Sequence, residues 1–110
     1  KSYLYVQDCL DAVLAVTGQA GERINIYNLG TDEYCEVDDS ASWIAERMGL
    51  HPEFTHAGGE RGWTGDNPFI YLDTKKVRSL GWKPKYGIRE GVLKTVDFLE
   101  KNGWVFQTRG

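Results

Sequence analysis

The sequence predicts an α/β fold, and two observations predict it. Short runs rich in aromatic and β-branched residues alternate along the chain with runs whose apolar residues recur every three or four positions, and Gly or Asp marks most of the junctions between them. With 110 residues, 41% of them hydrophobic and 26% charged, the chain is bounded to one globular domain spanning residues 1–110. A complete dinucleotide-binding fold with a substrate domain needs roughly 250 residues or more. The expectation is therefore a piece of a larger α/β protein, with short strands and about four helices.

Taken in order, Ser2 to Val6 (SYLYV) reads as a strand, and Asp8 then stands where an N-cap belongs. The helix that follows should bury Leu10, Val13, Leu14 and Thr17 on one face and end at Gly18. Arg23 to Gly30 (RINIYNLG) reads as a second strand. Val37, Ala41, Ile44, Ala45 and Met48 mark a second helix closed by Gly49, with Asp38 and Asp39 in its first turn, where carboxylates suit the helix dipole. Glu53 to Ala57 and Phe69 to Leu72 read as short strands flanking a glycine loop. Thr74 to Gly81 reads as a short capped helix, and Ile88, Val92, Val96 and Leu99 as a last amphipathic one.

Composition excludes several function classes. A net charge of −3 with scattered basic residues argues against a nucleic-acid partner. No apolar run approaches the roughly 18 residues of a membrane span and no signal-peptide pattern opens the chain, so a cytoplasmic location is expected. Cys9 and Cys35 are too few and too isolated for a disulfide framework, and His51 and His56 do not stand at zinc-ligand spacing to them. Buried reduced thiols are the expectation, with no metal site.

Gly59, Gly62 and Gly65 spell G-x-x-G-x-x-G, the spacing of a dinucleotide loop. The context contradicts that reading. The run continues into Pro68 and a strand-like segment, so no helix opens where a pyrophosphate would lie, and Ser79 stands about 20 residues after Gly59, where an acid belongs. Tyr71 and Lys75 have the spacing of a catalytic pair, but a strand end and a helix do not bring them to one face. No cofactor is expected to bind this chain alone, and no catalytic residue is assigned.

The loop offers other chemistry. Arg61 can pair bidentately with a phosphate, Trp63 presents a flat ring for stacking, and Asp66 can accept hydrogen bonds from sugar hydroxyls. The same residue types also make plain turns, with Arg61 on a solvated edge and Trp63 plugging the core. Trp43, Trp82 and Trp104 are expected as core or staple residues.

The order of KSYLYVQDCLDAV, INIYNLGTDEY, RGWTGDNPFIYLDTKKVRSLGW and GIREGV resembles the C-terminal part of nucleoside-diphosphate-sugar epimerases and dehydratases, over about Lys1 to Trp104. These belong to the extended short-chain dehydrogenase/reductase family, typified by UDP-glucose 4-epimerase. The resemblance implies a substrate-binding region whose NAD(P) site and proton-moving tyrosine and lysine lie upstream, on an N-terminal Rossmann domain absent here. It implies that Arg61 holds the substrate pyrophosphate and that Asp66 contacts the nucleotide ribose or orders the loop, which is about one residue longer here than in the epimerases. Lys1 stands at a position where a phosphate-facing arginine is usual, keeping the charge without the fork. Gly87 replaces a usual Ser or Thr cap, which should weaken the last helix start modestly. Arg23 to Gly30 would be an outer strand of the missing sheet, an edge that invites homo-oligomers. The partner implied is a nucleoside-diphosphate sugar, and the alternative is a stand-alone, non-catalytic carbohydrate- or nucleotide-binding module.

Overall fold

Five helices order the chain in a computed structural model that describes residues 1–59, 61–67 and 69–108: α1 (Val6–Gln19), α2 (Val37–Arg47), α3 (Lys75–Arg78), α4 (Ile88–Lys101) and α5 (Trp104–Thr108). Among the described residues there is no strand, so the α/β expectation is corrected. Ser2–Val6, Arg23–Gly30, Glu53–Ala57 and the 69–72 run carry strand-favouring residues but lie outside any ladder, and Val6 is already helical. A strand exists only by pairing its backbone with a neighbour. Here the neighbours are of another kind: Lys76 Nζ donates to the Ile26 carbonyl at 2.8 Å, and Asn28 Nδ2 donates to the Asp73 carbonyl at 3.3 Å. One rung does form, between the backbones of Lys1 and Cys35, where the Cys35 N–H donates to the Lys1 carbonyl at 2.8 Å and the Lys1 backbone nitrogen donates back. Ile24 and Ile26 remain about three-quarters exposed.

The core is small and sits where α1 meets α3. Ala12, Val77 and Trp82 form it, with Leu4, Ala15, Val16, Tyr27 and Leu29 packed around them. This reverses the face expected of α1, because Leu10, Val13 and Leu14 are exposed and Asp8 and Ala12 are buried. Asp8 explains the choice. It is not the N-cap, which is Tyr5. Its carboxylate is fully buried and accepts the Lys85 and Tyr86 N–H groups at 3.0 and 3.2 Å, while its carbonyl accepts the Trp82 indole N–H at 3.1 Å. A buried carboxylate requires such donors, and the 82–86 segment supplies them, which turns that side of α1 inward. Trp82 is thus the core residue expected of it. Trp104 is not: it opens α5 with 58% of its surface exposed.

Helices α2 and α4 pack together, tied by a bidentate pair in which Arg47 Nε and Nη2 each donate to Asp97 at 2.8 Å. A reciprocal capping box at α2 joins Glu36 to Asp39, with Asp38 and Asp39 in the first turn as expected, and Gly49 (φ +68°) ends the helical run beyond it. At α4, Gly87 is the N-cap, and Glu33 supplies from a distant segment the acceptor that Gly87 lacks, taking the Ile88 N–H at 2.7 Å. Helix α3 begins the same way, with Asp73 Oδ1 accepting the Lys75 N–H at 2.9 Å, and Gly81 (φ +88°) follows its last turn. Both cysteines are free thiols. Cys35 is buried and burial pushes its thiol up, so it stays protonated.

Candidate nucleotide-sugar site

A turn carries the predicted site residues. The Asp66 N–H donates to the Trp63 carbonyl at 3.0 Å, closing four residues on themselves, and Gly62 N–H donates to Asp66 Oδ2 at 3.3 Å. The other carboxylate oxygen, Oδ1, accepts from Lys1 Nζ, which also donates to the Asn67 carbonyl at 2.9 Å. The sequence therefore brings Lys1 and Asp66, 65 positions apart, into one ion pair. That pair, with the Gly62 N–H and the nearby Arg61 charge, holds the Asp66 carboxyl below the usual carboxylate range.

Trp63 does not plug the core. It is 69% exposed, and its ring lies over Gly65, where an added Cβ would stand 2.6 Å from ring carbon Cζ3. Only glycine at position 65 leaves room for the indole in this place. Lys1, Tyr3, Trp63, Asp66 and Ile70 wall a shallow cleft of about 250 Å³. Arg61 is exposed beside it, outside the wall, and forms no ion pair among the described residues. Three of the four expected residues thus meet in one cleft, and the fourth stands at its rim.

The loop does not fit a dinucleotide. Gly58 and Gly59 take positive φ (+76° and +107°), the described residues from Arg61 onward form a turn, and the next helix is the four-residue α3. Among the described residues no helix opens at the loop's last glycine, as the dinucleotide spacing would require. Tyr71 lies in extended chain and Lys75 on α3, so they do not share a helix face. Among the described residues no cluster of His, Cys, Asp and Glu could hold a metal ion, and no helix is long and apolar enough to cross a membrane.

Sequence reasoning missed Glu33 as the cap of α4 and missed an apolar groove of about 590 Å³. The groove lies between the 3–6 segment, α2, α4 and Phe106 of α5. The exposure of Ile44 and Met48 follows from that opening. No signal in a single sequence distinguishes an apolar face that meets a groove from one that meets a partner helix.

No protein-family model matches the chain. A putative UDP-glucose 4-epimerase of Methanocaldococcus jannaschii is 30% identical over 102 residues, which is 93% of this chain and 32% of that protein. A dTDP-D-glucose 4,6-dehydratase of Mus musculus is 33% identical over 109 residues, again 93% of this chain and 30% of that one. A trifunctional UDP-glucose 4,6-dehydratase/UDP-4-keto-6-deoxy-D-glucose 3,5-epimerase/UDP-4-keto-L-rhamnose-reductase of Arabidopsis thaliana is 32% identical, with 15% of its length covered. Among solved structures, a UDP-galactose 4-epimerase superposes with a TM-score of 0.77 at 33% identity, over 93% of this chain and 34% of that one. The chain spans about a third or less of the length of the relatives it matches. These matches make the chain a C-terminal part of an extended short-chain dehydrogenase/reductase.

Proposed function

We propose that residues 1–110 are the nucleotide-sugar-binding part of an NAD(P)-dependent epimerase or dehydratase. The observation that carries this reading is the 61–67 turn, where an exposed indole and a clamped carboxylate share one cleft and the exposed Arg61 stands outside its wall, near enough for its charge to act on Asp66. The relatives' names point the same way, since they act on UDP- and dTDP-linked sugars. Arg61 binds the diphosphate through its planar fork of donors. Trp63 offers a ring face to the base or sugar, and Asp66 positions the nucleotide by fixing the shape of the turn. Lys1 stands in the same cleft, its ammonium paired with Asp66.

Hydride transfer belongs to the nicotinamide of an N-terminal Rossmann domain. The isolated chain is accordingly a binding part, catalytically silent, of a cytoplasmic enzyme. The exposed Ile24 and Ile26 belong to the face such a domain would cover, and left open they favour self-association. The exposed Trp63 is also what a stand-alone carbohydrate-binding module would show. That reading predicts affinity for free sugars without the diphosphate.

The test is calorimetric titration of the chain with UDP and with free galactose. A charge-assisted pair is worth about 1.5–3 kcal/mol, so Arg61→Ala should weaken UDP roughly 10- to 100-fold. Unchanged UDP affinity removes Arg61 from the site, and galactose binding at UDP-like strength favours the module instead.

A further inference from the structure

We infer that Lys1 is a positioning residue: it sets the shape of the 61–67 turn through Asp66 and does not itself bind the diphosphate. The inference rests on the reading of this turn as the nucleotide-sugar site.

The argument begins with where the lysine is anchored. Its backbone exchanges hydrogen bonds with Cys35 in both directions, and Cys35 is buried, so the Lys1 backbone is fixed to the body of the molecule. From that anchor the ammonium reaches the turn at two points, Asp66 Oδ1 and the Asn67 carbonyl. Asp66 passes the restraint on. Its second oxygen accepts the Gly62 N–H, and its own N–H donates to the Trp63 carbonyl. The result is a continuous path of polar contacts from the buried Cys35 to Gly62, the residue that follows Arg61. Gly62 itself is closely approached, since a Cβ there would stand 3.4 Å from Asp66 Oδ2.

Charge arithmetic assigns the roles. Lys1 and Asp66 cancel: Asp66 is ionised at neutral pH like any aspartate, and the Lys1 hydrogen bond holds its pKa lower still. Arg61 is then the cation of the turn that no described ion pair neutralises, which is the one a diphosphate would seek. Were Lys1 to turn to phosphate, Asp66 would lose its partner beside the incoming anion, and the like charges would repel. An arginine at position 1 has five donors and could serve both partners. A lysine has three, and two are already committed.

The experiment is a double-mutant cycle on UDP affinity with Lys1→Met, Asp66→Asn and the double variant, together with amide hydrogen exchange at Gly62 in the unliganded chain. Each single variant should weaken UDP about tenfold, and the double variant should be no weaker than the worse single, because both remove one device. Gly62 exchange should accelerate in Lys1→Met and Asp66→Asn but stay unchanged in Arg61→Ala, a response that a phosphate ligand would not produce. Additive losses in the cycle, or Gly62 exchange unmoved by Lys1→Met, overturn the inference. If the wild-type chain fails to bind UDP, the nucleotide-sugar reading falls, and the Gly62 exchange still decides whether Lys1 holds the turn.

Discussion

Asp66 spends both carboxylate oxygens inside the protein, one on Lys1 and one on Gly62, and so acts on a ligand through the turn it shapes. Its folded pKa is lowered, chiefly by the Lys1 hydrogen bond. A lowered carboxyl contributes stability that is present above the unfolded value, about 3.9, and is lost as pH falls through the folded value. The turn should therefore remain clamped at pH 5 and open only below about pH 4. Titration of the Asp66 carboxyl carbon by NMR checks this: the midpoint should lie below that of a free aspartate and move up in Lys1→Met, and a midpoint at or above the free value contradicts the clamp. The residue types at the turn, Arg61, Trp63, Asp66 and Lys1, were legible in the sequence as candidates for binding, a role left to the titrations. Their pairings were not. Nothing local to Lys1 reveals that Asp66, 65 positions away, will take its ammonium.

At the scale of elements, the helices were the most legible part, because three- and four-residue periodicity and end glycines are local signals. Helices α2, α3 and α4 lie close to where the pattern put them. Helix α1 shows the limit of that method: its Leu and Val stripe was expected inside, yet a single buried aspartate turned the other face to the core. The expected weakness of α4 was also local reasoning, and Glu33 answers it from 55 residues away. Glu33→Ala should cost about 1–2 kcal/mol in urea unfolding, the scale of a lost cap. Gly87→Ser should recover much of that loss in the Glu33→Ala background. In the wild-type background it should give no gain, because a Cβ at position 87 would stand 3.1 Å from both Glu33 oxygens. Stabilisation of the wild-type chain by Gly87→Ser would contradict the assignment of Glu33 as the cap.

At the scale of the whole molecule, the sequence misled where a structure depends on partners. The strand-like runs have the composition of strands, but composition does not supply the neighbouring backbone that makes one. The chain is accordingly more open than its length suggests, with a radius of gyration of 16.8 Å against about 13 Å for a compact domain of this size. Exposed apolar residues are spread over α1, the 24–26 run and the groove beside α4, while the polar turn at 61–67 is assembled within the chain itself. The most direct measurement is a two-dimensional amide spectrum of the labelled chain titrated with UDP-galactose. The account predicts saturable shifts at Gly62, Gly65, Asp66 and the Trp63 indole, with α2 and α4 unmoved. Shifts confined to the apolar groove, or none at the turn at saturating ligand, would contradict it.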